Sequence, residues 1–186
     1  MAGTVTYNLE HAQVALTGTT PTYIDVPGVT TLDATVSSSV AYFAADGSKP
    51  YAAWSAPEGG GSLGFAEADF AVLVIINGGT SSSTGTTPAV VERYVQPGTA
   101  TNPNFILVGY AKNVNGKLTG TAARPGFRII IPNASAAPAS MAMGQETWGE
   151  WTAELAFSAN AANQMVIYEK METAPTFTAG IFTVTI

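Results

Sequence analysis

The sequence predicts a mainly β protein, a β-sandwich or partly closed barrel of two packed antiparallel sheets, with one flanking α-helix at about Phe65 to Ile76 and long extended loops. Three observations lead there. Phe65-Ala-Glu-Ala-Asp-Phe-Ala-Val-Leu-Val-Ile-Ile76 is the one stretch that reads as a helix. The apolar runs on either side of it are short and are separated by Gly, Thr, Ser and Pro. Trp151 to Phe157 alternates apolar and polar residues with the two-residue period of a half-buried strand. With 186 residues and 46% hydrophobic content, the chain is long enough to form one domain, 1–186, around an apolar core.

Taken in order, Gln13 to Thr17 and Tyr23 to Val26 read as short strands, with Val26-Pro27-Gly28-Val29 turning the chain, and Ala34 to Val40 follows as a third. From Ala41 to Trp54 the chain reads as a projecting loop, because Asp46-Gly47 and Lys49-Pro50 interrupt regular pairing around the aromatics Tyr42, Phe43, Tyr51 and Trp54. Gly59-Gly60-Gly61-Ser62-Leu63-Gly64 reads as a flexible joint into the helix. Glu67 and Asp69 fall in the expected first turn, where the helix dipole favours acids, and Asn77-Gly78-Gly79 stops the helix. Phe65, Val72, Leu73 and Ile76 are the residues expected to pack it. Phe70 to Ile76 is continuously apolar and rich in β-branched residues, so a buried strand is the competing reading of that segment.

Beyond the helix, Thr80 to Pro88 reads as a low-complexity loop and Val90 to Gln96 as a strand, within an extended stretch from Thr80 to Gly98. Phe105 to Ala111 and Phe127 to Ile131, joined through Asn113-Val-Asn-Gly116, read as neighbouring paired strands. In Trp151 to Phe157, the residues Trp151, Ala153, Leu155 and Phe157 share a core face, and Glu150, Thr152 and Glu154 share the polar one. Val166 to Tyr168 and, after Pro175, Phe182 to Ile186 close the sequence; the last segment reads as a strand in need of a partner.

Charged residues make up only 11% of the chain, against about 25% in ordinary soluble domains, and Gly, Thr, Ser and Ala take their place. Such a surface suits a subunit covered by its neighbours. The net charge of −6 and seven scattered basic residues exclude a binder of the phosphate backbone, which needs clustered Lys or Arg. With no cysteine there is no disulfide framework and no thiolate metal or redox site. The first residues have neither a basic head nor an apolar block, and no run approaches the roughly 20 apolar residues that span a bilayer. The chain is therefore expected to be made and used without export and without membrane insertion.

Motifs for catalysis are weak. Gly59-x-Gly61-x-x-Gly64 matches the dinucleotide fingerprint only formally, since no strand is expected before it and no acid follows at the required distance. Glu150 and Glu154 stand about 13 Å apart on a strand, beyond the 5 to 9.5 Å of glycosidase pairs, and read as solvated acids. His11, the single histidine, reads as a surface residue with no partners nearby. Asn133-Ala-Ser135 fits a glycosylation pattern that matters only on export. Trp148 and Trp151 read as core or as a sugar-stacking pair. No catalytic residue, metal or cofactor is expected, so the chain is read as a non-enzyme.

The order of the segments carries a resemblance. Asp25-Val-Pro-Gly-Val29, the long loop with Asp46-Gly47, Gly64-Phe-Ala-Glu-Ala-Asp-Phe-Ala-Val-Leu73 ending in Gly78-Gly79, Asn104-Phe-Ile-Leu-Val-Gly109, Ile129-Ile-Ile-Pro-Asn-Ala134, Gln145-Glu-Thr-Trp148 and the alternating Trp151 to Phe157 follow one another as in a known family. The chain resembles the tail tube (major tail) proteins of long non-contractile-tailed bacteriophages over nearly its whole length. Its acidic run at Glu150 and Glu154 is shorter than in that family, and its ending is richer in Thr and Phe. The resemblance implies hexameric rings stacked into a tube, tape measure and tail terminator proteins as partners, and linear double-stranded DNA passing without specific binding. It also implies a location in the virion tail, after assembly in the host cytoplasm. Glu150 and Glu154 are then lumen-facing candidates, and Tyr42, Phe43, Asp46, Lys49 and Tyr51 inter-ring loop candidates. The alternatives are a capsid decoration or other virion β-sandwich protein, and a carbohydrate-binding β-sandwich using Trp54, Trp148 or Tyr51.

Overall fold

A computed structural model describes residues 7–18, 20–43, 51–67, 69–96, 98, 102–113, 126–144 and 147–171. Among these the chain is mainly β, with one short helix. The strands are β1 (Tyr7–Leu16), β2 (Ile24–Asp25), β3 (Val29–Ser37), β4 (Val40–Phe43), β5 (Tyr51–Trp54) and β6 (Glu58–Phe65); then, after helix α1 (Phe70–Asn77), β7 (Thr80–Thr84), β8 (Val91–Val95), β9 (Phe105–Asn113), β10 (Gly126–Ala136), β11 (Ser140–Gly144), β12 (Thr147–Phe157) and β13 (Ile167–Met171). One nine-stranded sheet runs β2-β1-β9-β10-β12-β6-β3, with β11 added on β12 and β13 on β10; β4–β5 and β7–β8 form separate two-stranded sheets. No sheet closes into a barrel among the described residues. Every pairing is antiparallel.

Strand β10 divides its length between partners. Gly126 to Ile130 pairs with β13, whereas Ala134 to Ala136 pairs with Phe157 to Leu155 of β12, and a register shift after Ile131 separates the two halves. Pro132 sits in that irregularity, where the lost ladder donor does least harm. β3, at one end of the pairing order, and β1, second from the other end, also lie against each other. Leu32 of β3 occupies the space that a side chain at Gly109 of β9 would fill.

The main core gathers Ala12 and Val14 of β1, Leu63 and Phe65 of β6, Phe105 and Leu107 of β9, Ile131 of β10, and Ala153, Leu155 and Phe157 of β12 around the helix. Val72, Leu73, Ile75 and Ile76 of α1 are buried in it. Each such side chain contributes about 1.5–3 kcal/mol of transfer free energy, which outweighs the few tenths by which β-branching disfavours a helix, and the cap at Asp69 and the glycine stop at Gly78 frame the segment as helix and not as a buried strand.

Several expectations need correction. The helix starts at Phe70, not Phe65, because the Asp69 carboxylate caps it, accepting from Ala71 N at 2.8 Å. Glu67 and Asp69 accordingly precede the first turn. Phe65 is buried as expected, but as the last residue of β6. The glycine run is not a joint: Gly59 to Gly64 lies in β6, in full register between β3 and β12. Here glycine is a packing requirement, since a Cβ at Gly59 would strike the Phe157 ring and one at Gly61 the Asp33 backbone. The expected loop Ala41 to Trp54 holds the hairpin strands β4 and β5, and the low-complexity stretch from Thr80 holds β7, paired with β8. Ala34 to Val40 divides between β3, which begins at Val29, and β4, which begins at Val40. The neighbouring pairing of Phe105–Ala111 with Phe127–Ile131 is present as β9 with β10. Phe182 to Ile186 and the turn at Asn115-Gly116 lie outside the described residues.

Candidate functional site

Strand alternation builds a distinctive face on β12, β6 and β3. Inward-facing Ala153, Leu155 and Phe157 commit Glu150, Thr152, Glu154 and Ala156 to the opposite side. Register then aligns Thr152 with Gly64 and Thr31, Glu154 with Ser62 and Asp33, and Ala156 with Gly60 and Thr35, while Glu58 faces Ser37 at the end. The result is a surface of Gly, Ser, Thr and Ala carrying four exposed carboxylates, Asp33, Glu58, Glu150 and Glu154. Strands β3, β6, β11 and β12 contain no Lys or Arg. Glu154 and Asp33 sit two strand spacings apart, about 10 Å, where like charges in water repel by only about 0.4 kcal/mol. The face therefore tolerates its charge without counter-ions from the protein. One carboxylate is fixed: Glu150 Oε1 accepts from Thr30 Oγ1 at 2.7 Å, and Thr30 is the extra residue of a bulge between Val29 and Thr31.

The expected loop candidates divide. Tyr42 and Phe43 stand in β4 and Tyr51 in β5, while Asp46 and Lys49 lie outside the described residues. Register pairs Val40 with Trp54 and Tyr42 with Ala52, so Tyr42 and Trp54 share one face of the hairpin. Their side chains are 67% and 68% exposed. Serine side chains close the hairpin base, where Ser55 Oγ accepts from Ser39 N at 2.9 Å and lies 3.0 Å from Ser39 Oγ. Trp151, by contrast, packs on the core, stacked on Phe65 with ring centroids 6.4 Å apart; the Trp148 side chain lies outside the described residues. Asn133 donates its amide to Ser158 Oγ at 2.7 Å.

A polar seam that the sequence did not reveal crosses the outer face of β1, β9, β10 and β13. Register sets His11 beside Tyr110, Tyr110 beside Arg128, and Arg128 beside Glu169. His11, expected to be unpartnered, lies with Nε2 3.0 Å from Asp25 Oδ1. The same oxygen accepts from Gln13 Nε2 at 2.6 Å, and Gln13 is only 1% exposed. Arg128 Nε donates to Glu169 Oε2 at 2.6 Å. The seam shares its face with Ile106, Val108 and Ile130, which form with the fully buried Tyr110 a second apolar cluster that Tyr23 packs against. Burial pushes the hydroxyls of Tyr110 and Tyr23 above the ordinary tyrosine range; the Arg128 guanidinium works against that rise at both. The cross-strand contacts hold β2 and β13 to the sheet. Gln13 and Asp25 had no signal in the sequence, since the contact joins positions 12 and 14 residues apart.

Among the described residues, no three His, Asp or Glu side chains gather to hold a metal ion, and no helix is long and apolar enough to cross a membrane. No family model matches the chain, and no curated protein matches it in sequence.

Proposed function

We propose that this chain is a virion structural subunit whose copies form stacked hexameric rings, a tail tube through which a DNA genome passes to the host. The observation that carries the reading is the four-carboxylate, base-free face of β3, β6 and β12. Turned to the inside of a ring, it presents a smooth, electronegative wall of small side chains. Phosphates are repelled by it, so DNA slides past without sticking, and six copies of a −6 subunit reinforce the field. Glu150 and Glu154 keep their place as lumen candidates, joined now by Asp33 and Glu58.

The exposed pair Tyr42 and Trp54 supports the same reading. Exposed aromatics on a sparsely charged chain suit contact with a neighbouring copy, where such residues supply much of the binding energy. We read the nine-stranded sheet as folded over on itself into a sandwich or partly closed barrel, supported by the contact of β1 with β3 and by Leu32 seated over Gly109. The proposal assigns no active site and no cofactor, and it places tape measure and tail terminator proteins as partners.

Negative-stain electron microscopy of the purified chain tests the reading directly. Rings or tubes are expected at high concentration, and a persistent monomer overturns it. Replacing Glu150 and Glu154 by lysine should leave tubes intact but retain DNA during ejection; normal ejection refutes the lumen assignment. The aromatic pair gives the carbohydrate-binding alternative its one specific support, and a glycan array separates the two, because a tube subunit shows no selective binding.

A further inference from the structure

The link between α1 and β7 consists of two glycines, both with positive φ, +72° at Gly78 and +94° at Gly79. Glycine adopts these angles without the steric cost other residues meet, so the link is a natural swivel. Beyond it the β7–β8 hairpin hydrogen-bonds within its ladder only to itself. Every residue of its two strands is exposed except Tyr94. Val91, for example, is 62% exposed. Between the hairpin and the start of α1 lies an open cleft of about 260 Å³, with Asp69 and Ala71 on one wall and Ser83 and Glu92 on the other. Carboxylates on both walls keep this cleft wet.

Tyr94 makes the packed contact beside the cleft. Its ring tilts against Phe70 with centroids 6.1 Å apart, and its hydroxyl donates to the Gly78 carbonyl at 2.8 Å. The neighbouring Asn77 is buried, and its Oδ1 accepts from Ala139 N at 3.1 Å, which ties the end of α1 to the connection between β10 and β11. Among the described residues Tyr94 is the hairpin side chain that packs on the main core, and it hydrogen-bonds the carbonyl of the swivel itself.

We propose that β7–β8 is a pivoting arm, with Gly78 and Gly79 as its hinge and Tyr94 as its latch, seen here docked. The device belongs to one subunit and stands whether or not copies assemble. The chain has no cysteine, so Ser82→Cys on the arm and Thr152→Cys on β12 accept spin labels at unique positions. Distance distributions between them are measured on dilute single chains by double electron–electron resonance, beside amide hydrogen exchange over residues 80–95. In the otherwise unaltered chain one dominant distance is expected. Tyr94→Phe, which keeps the ring on Phe70 but removes the donor, should add a second, displaced population and speed exchange across the arm about tenfold. Tyr94→Ala should make the displaced population dominant. An unchanged distance and unchanged exchange in Tyr94→Phe, with a melting temperature equal to that of the parent, overturns the latch; if Tyr94→Ala does not fold, Tyr94→Phe alone decides.

Discussion

Two adjacent glycines in β6 should respond in opposite ways to the addition of a single methyl group. A Cβ at Gly61 would lie 2.8 Å from the Asp33 carbonyl carbon and 3.2 Å from Ala34 Cα, with the Asp33 oxygen closer still. All three are backbone atoms of the paired strand, so no rotamer change relieves the clash and β3 must move away from β6. Overpacking of this kind costs about 1–3 kcal/mol. At Gly60 the nearest atom to a new Cβ is the Leu155 carbonyl oxygen at 3.6 Å, an ordinary contact. There Gly→Ala mainly restricts the unfolded chain and stabilises by about 0.4–1 kcal/mol. For a chain of this size 1 kcal/mol moves the midpoint by about 2–4 °C. Gly61→Ala, taken at about 2 kcal/mol, should therefore melt roughly 4–8 °C below the parent and Gly60→Ala about 1–4 °C above it. Circular dichroism melts at one low protein concentration, with reversibility confirmed, read both values. A Gly61→Ala variant as stable as the parent would refute the claim that strand approach fixes these glycines.

Three further outcomes are expected. Trp54→Ser should leave the melting temperature within about 1 °C of the parent, because the ring is largely exposed, yet abolish or sharply reduce ring formation in sedimentation velocity; unchanged association shows the aromatic pair to be idle. Asp69→Ala removes the cap of α1 and should cost about 1 kcal/mol in urea titration, with Asp69→Asn restoring most of it. Tyr23 and Tyr110 retain protons in the folded state that the unfolded chain releases near pH 10, so their contribution is complete below that pH and is lost as pH rises through their higher folded values. Stability should fall steeply above about pH 10, and the double variant Tyr23→Phe/Tyr110→Phe should flatten that fall; an identical slope in both proteins counts against the burial of these hydroxyls.

The legible parts of the fold were those in which side chains carried the pattern. Strand β12 declared its two faces through Trp151, Ala153, Leu155 and Phe157, and the stop at Gly78-Gly79 marked the helix end. Where the pattern is carried by the backbone, the sequence is mute. Strand β6 has four glycines among its eight residues. They have no side chain to alternate, and at Gly59 and Gly61 the reason for glycine is a ring and a neighbouring strand far away in sequence. Strand β7, Thr80-Ser-Ser-Ser-Thr84, has no apolar residue and so no period. Asp69 looked like a first-turn acid, and only its bond to Ala71 N distinguishes a cap from that. Of the candidate face, Glu150 and Glu154 could be placed from alternation within one strand, but Asp33 and Glu58 joined them through register, which a linear reading does not contain.

The divided loyalty of β10 has a mechanical consequence. Among the described residues, the ladder pairing between the β2-β1-β9-β10 half of the large sheet and the β12-β6-β3 half is confined to the rungs from Ala134–Phe157 to Ala136–Leu155, flanked by the backbone bonds Ala137 N to Glu154 O and Ser158 N to Asn133 O. A load that tugs the two halves apart is therefore borne by the shared core, by the contact of β1 with β3 and by that short join, while the β1–β9 and β6–β12 ladders have many more rungs. Once that core opens, the large sheet should divide at Ala134 to Ala136, the seam along which its two halves are least stitched.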